Sequence, residues 1–192
     1  ALTGLMAVLL LMLARESPAP AATGPGDQAD VAAVADAPSQ ELPPDISNMS
    51  PRERFNRLYN RVMRAAQSGD EATVSRFTPM ALMAYGQLDT VDADARYHAA
   101  LLKVHTGEVD GSRALADSIL AGDPGHLFGY IVRGTVARFR KDDRALNKAY
   151  ADFLAHYDPE IKRARPEYEE HKTSLDDFRK AALDAKSQST GS

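Results

Sequence analysis

The sequence predicts an all-α protein whose helices form antiparallel hairpins. Apolar residues recur every three or four positions from residue 50 onward, and no stretch alternates apolar and polar residues as a strand does. Capping residues divide this part of the chain into seven or eight helices. A length of 192 residues with 44% apolar residues is typical of one globular domain with appendages.

The first element is the apolar segment of residues 1–15, which carries no charge before Arg15. A helix of fourteen residues spans roughly 21 Å, whereas the hydrocarbon layer is ~30 Å thick. Because the sequence starts at Ala rather than Met, we expect further residues upstream and a retained membrane anchor. Two alternatives stay open: a signal peptide cleaved near Ala19-Pro20-Ala21, and a buried core helix.

Residues 16–49 are rich in Pro, Ala, Gly and acidic residues and contain no aromatic residue. Such a segment buries too little apolar surface to offset its ordering entropy, so it predicts an extended linker. Residues 15–48 carry one Arg against six Asp and Glu, a net charge of −5 within a total of −4. The remainder is nearly neutral, so we expect no nucleic-acid partner.

The helical domain, residues 50–192, opens with a capping box in which Ser50 is the N-cap and Glu53 the third helical residue. An apolar stripe follows, and Gly69 ends this helix. The second element starts at Asp70 or at Thr78-Pro79, with a break expected at Pro79. The stripe of the first helix consists of Phe55, Leu58, Tyr59, Val62 and Met63.

The later boundaries follow from the same kinds of residue. Asp92 caps a third helix that stops at Gly107, and a fourth runs from about Asp110 to Gly122. Two Asp-Pro pairs predict helix starts, because Pro is well tolerated at the first helical position. Asp123-Pro124 is expected to open the fifth helix and Asp158-Pro159 a short helix after the sixth, with Pro166 interrupting it before the last helix.

Residues 92–159 carry small residues with a period of 34 positions, at Ala100 and Gly134. If Pro124 closes one unit, Gly107 falls in the turn between its two helices. This pattern resembles the tetratricopeptide repeat, a helix–turn–helix unit of 34 residues. The second unit departs from it, with "RKDD" in place of a turn glycine. The resemblance implies a set of repeat-packing positions: Tyr97, Ala100, Gly107, Pro124, Tyr130, Gly134 and Pro159.

One charged face stands out on the first helix of the domain. Its arginines lie mostly opposite the apolar stripe, and three interpretations stay open: a solvated face, a docking face for anionic lipid or an acidic partner, and a contact with the acidic linker. The candidate interaction face consists of Arg52, Arg57, Arg61 and Arg64.

No motif for reaction chemistry is found, and the sequence predicts no catalytic, cofactor-binding or metal-binding residue. The absence of cysteine excludes disulfides and thiolate chemistry. His98 and His105 lie two helical turns apart, about 10 Å, which is too far to share one ion. A hydrolase or metal-dependent enzyme using Glu167, Glu170 and His171 is kept as an alternative.

These observations together predict a non-enzymatic protein that contacts other proteins through a helical-repeat domain. We expect an accessory or stabilising subunit of a large bacterial membrane complex, of respiratory or photosynthetic type. Its partners would be the subunits of that complex and the lipid bilayer. The expected location is the cytoplasmic (inner) membrane, with a single pass and the helical domain in the periplasm. An exported soluble protein that binds peptides or polymers remains a further alternative.

Overall fold

The structure, a computed structural model, describes residues 49–190, with side chains to residue 188. The expected anchor of residues 1–15 and nearly all of the linker lie outside the described residues. Within them the all-α class is confirmed, since they form eight helices and no strand. The helices are α1 (Pro51–Ser68), α2 (Glu71–Tyr85), α3 (Ala93–His105), α4 (Val109–Gly122), α5 (Leu127–Phe139), α6 (Asp143–Ile161), α7 (Pro166–Glu170) and α8 (Lys172–Thr190).

The helix starts of the first half follow the predicted caps. The backbone N–H of Ser50 donates to Glu53 Oε2 at 2.9 Å, and Ser50 Oγ accepts from the Glu53 N–H, which completes the capping box. Asp70 caps α2, and Asp92 caps α3 by accepting from the Ala95 N–H at 2.8 Å. Each cap satisfies a backbone donor that has no partner inside its helix.

Three hairpin turns share one backbone geometry. Gly69 and Gly107 have φ values of 75° and 78°, and Lys141, 34 positions after Gly107, has a φ of 55°. In each turn the N–H of this residue donates to the carbonyl three residues earlier, and the N–H of the next residue donates to the carbonyl five residues before it. This pair of hydrogen bonds closes the last turn of α1, α3 and α5 in the same way. The third turn therefore keeps the left-handed conformation without the glycine that favours it.

Replacement of Lys141 by Gly is expected to raise the free energy of unfolding by about 0.5–1 kcal/mol. A side chain in the left-handed region costs roughly 1–2 kcal/mol, which the greater chain entropy of Gly in the unfolded state offsets in part. Urea denaturation measures the change. Lys162→Gly is the control, because Lys162 ends α6 with a φ of −64° and has no such strain to relieve. A Lys141→Gly protein no more stable than Lys162→Gly would contradict the expectation.

Three predicted boundaries are wrong. Helix α2 continues through Pro79, and α6 continues through Pro159 to Ile161, so neither proline begins or interrupts a helix. Asp123-Pro124 lies in the turn before α5, which begins at Leu127 after the N-cap His126. The two helices continue because residues beyond each proline are buried: Ala81 and Ala84 beyond Pro79, and Glu160 beyond Pro159.

The helices pack in chain order around one continuous core. Each of α1 to α5 contacts the next helix, and α3 also contacts α1 and α5. Helix α8 covers the end of this series by packing on α6 and, to a lesser extent, on α5 and α7. A Cβ atom built on Gly134 would lie 2.6 Å from the ring of Phe178, so the small residue in α5 permits the close approach of α8.

The other repeat-packing positions are distributed between the core and the turns. Tyr97, Ala100 and Tyr130 are buried, while Pro124 lies in a turn and Pro159 is exposed on α6. Tyr130 also donates from its hydroxyl to the carbonyl of Pro124 at 2.6 Å, which fixes the turn before α5. Among the described helices none combines the length and the apolarity needed to cross a bilayer.

Candidate functional site

The arginines of the candidate interaction face do not form one surface. Arg52 is half-buried and pairs with Asp92, with Nη2 and Oδ2 2.5 Å apart. Arg61 is half-buried, and its guanidinium lies 4.1 Å from the centre of the Phe77 ring. Arg57 and Arg64 are exposed. Half of the predicted face therefore holds α1 to its neighbours, and only the other half projects from the domain.

A groove of about 290 Å³ lies between α5 and α8. Its lining is mainly apolar, and Arg138, which donates to the hydroxyl of Tyr150 at 2.8 Å, contributes a polar group. Charged residues of α8 also border the groove, including the pair of Lys180 and Asp184 at 3.0 Å. The apolar residues that line it include Ile131, Phe178, Ala181 and Ala185.

A second site lies where the junction of α7 and α8 meets α3. Asp94, His98 and His171 each offer one possible ligand atom, and these three atoms lie within 4.8 Å of one another. The Nε2 atoms of the two histidines are 2.9 Å apart, and Asp94 Oδ1 lies 3.0 Å from His171 Nε2 and 3.4 Å from His98 Nε2. Within residues 49–188 this is the one group of three or more such side chains close enough to hold a metal ion.

Aromatic rings enclose this cluster on its inner side. Tyr59 stacks on His98 with ring centres 3.8 Å apart, and Phe128 meets the His171 ring edge-on at 5.2 Å. The side chain of His98 is 7% exposed, and those of Asp94 and His171 are 18% and 15% exposed. The cluster is thus closed on the core side and reachable from solvent past Asp94 and His171.

The protonation of the cluster reflects this burial. Burial lowers the pKa of His98 to about 4, because the charged imidazolium loses its hydration. Burial raises the pKa of Asp94, but the hydrogen bond from His171 and the charges of both imidazoles outweigh that effect and lower the pKa overall. His98 is therefore neutral and Asp94 ionised at neutral pH, the forms in which both can bind a cation.

The residues of the hydrolase alternative do not come together. Glu167 lies 3.3 Å from His126 Nε2 and also pairs with Arg165, whereas His171 contacts Asp94 and His98. Glu170 is exposed. The sequence analysis did not identify the pair of Asp94 and His98, although their spacing of four residues places them on the same face of α3.

A second polar cluster joins the turn before α5 to the end of α6. The buried carboxylate of Glu160 pairs with Arg165 and, at 3.1 Å, with Arg163. Tyr168 donates its hydroxyl to Glu160 at 3.2 Å and accepts from the Leu127 N–H at 3.0 Å. Asp123 pairs with both arginines, so the Asp-Pro turn is fixed by ion pairs from the segment after α6. The cluster is a structural joint between hairpins.

Comparison with known proteins adds no assignment to these clusters. No protein-family model, curated protein or solved structure matches the chain.

Proposed function

We propose that this protein is a non-enzymatic, membrane-tethered scaffold that holds other proteins through a tetratricopeptide-like domain. In this proposal residues 1–15 anchor the chain in the cytoplasmic membrane of a bacterium. The acidic linker places the helical domain in the periplasm, where it acts as an accessory subunit of a large membrane complex.

The observation that carries the proposal is the repeated hairpin turn. Three successive hairpins close with a left-handed residue at Gly69, Gly107 and Lys141 and with the same pair of backbone hydrogen bonds. The last two of these residues are 34 positions apart, the length of one tetratricopeptide unit. Repeated hairpins that stack in chain order build extended surfaces suited to protein partners rather than enclosed reaction sites.

The groove between α5 and α8 is suited to a partner segment. Phe178 and Ala181 contribute to an apolar lining, and the charges of Lys180 and Asp184 border it. An apolar floor with a polar rim is the usual composition of a protein-binding surface. The groove lies beside the last hairpin, where a repeat series ends and its covering helix begins.

Site-specific photocrosslinking in the native bacterium tests the proposal. Benzoylphenylalanine replaces Ala181 in the groove in one full-length protein and Ala72, which is exposed on α2, in the other. We expect the Ala181 variant to form an adduct with one subunit of a complex that copurifies in mild detergent with the unmodified chain. The Ala72 variant is expected to form none.

Two results would reject this function. The first is a chain that leaves the membrane as a free monomer and forms no adduct from the groove. The second is the same set of adducts from Ala181 and Ala72, which would indicate random collisions. Adducts with peptides or polymers in the soluble periplasmic fraction would instead support the exported binding protein.

A further inference from the structure

The cluster of Asp94, His98 and His171 has a geometry that hydrogen bonding alone does not satisfy. We infer that these three residues bind one divalent transition-metal ion of the zinc type, which ties the start of α8 to α3. This inference departs from the sequence-based expectation of no metal ligand, and it does not depend on the proposed function.

The three edges of the cluster cannot all be hydrogen bonds. If both Nε2 atoms carry hydrogen and donate to Asp94 Oδ1, two N–H groups face each other at 2.9 Å. If only His171 carries hydrogen at Nε2, the lone pair of His98 Nε2 faces the carboxylate oxygen at 3.4 Å. Every arrangement of neutral histidines leaves at least one repulsive edge. A cation bound by three lone pairs removes the conflict.

The separations of the three atoms match those around a bound zinc ion. Zinc lies about 2.0–2.2 Å from its nitrogen and oxygen ligands, so two ligands of a tetrahedral site are about 3.3 Å apart. The observed separations are 2.9, 3.0 and 3.4 Å. An ion placed about 1 Å out of the plane of these atoms would contact all three at about 2.0–2.1 Å.

The chemistry of the ligands selects the class of ion. Two imidazole nitrogens and one carboxylate oxygen suit Zn²⁺, Co²⁺ or Ni²⁺, whereas Mg²⁺ and Ca²⁺ prefer oxygen ligands alone. Asp94 and His171 keep 18% and 15% of their side-chain surface exposed, which leaves room for water as a fourth ligand. His98 Nδ1 is buried and has no hydrogen-bond partner, so the site lacks one of the outer contacts that strengthen metal binding.

The ligands come from distant parts of the chain, which gives the ion a structural role. Asp94 and His98 lie on α3, and His171 follows 73 residues after His98, between α7 and α8. An ion held by all three closes this long loop and fixes the entry of α8. Binding to the folded state alone would raise the stability of the domain by mass action.

Metal titration of the full-length protein in mild detergent, after removal of metals by chelator, tests the inference. We expect one Zn²⁺ per chain with a dissociation constant on the order of micromolar. At a hundredfold excess over that constant, Zn²⁺ is expected to raise the melting temperature by roughly 5–10 °C, and Mg²⁺ to leave it unchanged. Co²⁺ is expected to give the visible absorption of a four-coordinate site.

His171→Gln and Asp94→Asn each remove one ligand that is partly exposed, so both proteins should fold. Each is expected to lose the Zn²⁺-dependent rise in melting temperature and the Co²⁺ absorption. The matched control is His105→Gln, because His105 also lies on α3 but outside the cluster. Circular dichroism verifies that all three variants are helical. A wild-type protein without stoichiometric Zn²⁺ binding, or equal binding by the His171→Gln variant, would overturn the inference.

Discussion

Replacement of Arg165 by Met is expected to lower the free energy of unfolding by about 3–5 kcal/mol. The carboxylate of Glu160 is 4% exposed, and Arg165 is its less exposed cationic partner. Removal of Arg165 leaves the buried carboxylate with only the exposed Arg163 and the Tyr168 hydroxyl as partners, and a buried charge that loses its closest ion-pair partner costs far more than the pair itself contributes. Chemical denaturation monitored by circular dichroism measures the loss.

Two further variants separate this effect from a general sensitivity of the region. Arg163 also contacts Glu160, but its side chain is 52% exposed, so Arg163→Met is expected to cost less than about 1 kcal/mol. The double variant Glu160→Met with Arg165→Met removes both charges and is expected to recover most of the loss. Equal effects of the two arginine variants, or no recovery in the double variant, would show that the buried charge does not govern stability here.

Replacement of Phe178 by Ala is expected to cost about 3–5 kcal/mol and to detach α8 from the domain. The Phe178 ring is 6% exposed, packs edge-on against Tyr150 and Phe153 at 5.0 and 4.9 Å, and lies over Gly134. Its loss leaves a cavity where α8 meets α5 and α6. Limited proteolysis should then cleave α8 well before the rest of the helical domain.

Leu183→Ala provides the matched control on the same helix, because the Leu183 side chain is 45% exposed. This variant is expected to lie within about 0.5 kcal/mol of the wild type and to keep the wild-type cleavage pattern. If Phe178→Ala left α8 as resistant to protease as Leu183→Ala does, Phe178 would not be the residue that holds α8.

The helices and their buried faces were predictable because local rules and packing agree there. The capping box of Ser50 and Glu53 is formed, and Phe55, Leu58 and Val62 are buried as their spacing indicates. Polar caps, apolar periodicity and turn glycines all act within a few residues of the chain. No long-range information is needed to recognise them.

The helix boundaries predicted at Pro79 and Pro159 are wrong because the burial of residues beyond each proline outweighs the tendency of proline to end a helix. A proline inside a helix costs about 3 kcal/mol, which makes a break at Pro79 the natural expectation. The burial of Phe77, Ala81 and Ala84 in one continuous face offsets that cost and keeps α2 whole. The helix at Pro159 depends in the same way on the ion pair of Glu160 with Arg165, which a reading of local preference cannot anticipate.

The sequence indicates only part of the cluster of Asp94, His98 and His171. The four-residue spacing of Asp94 and His98 can be read from the chain, but it is common on solvated helices. The contact of His171 with His98 depends on how α7 turns the chain back toward α3. This is a feature of the tertiary structure, which the local sequence does not specify. The sequence does not show that Glu167 and His171 have different partners: Glu167 contacts His126 and Arg165, whereas His171 contacts Asp94 and His98.

The contact of His171 with α3 has a consequence for the order in which the helices fold during synthesis. Helices α1 to α6 pair with neighbours in sequence, so each hairpin can fold soon after it leaves the ribosome. The contact of His171 with Asp94 spans 77 residues and forms only when the last helix is emerging. Until then the rings of Tyr97 and Phe128 lack the cover that the His171 ring gives them. The packing of the last helix therefore completes the fold of the domain. A chain that stops before residue 171 would expose that aromatic surface to other chains.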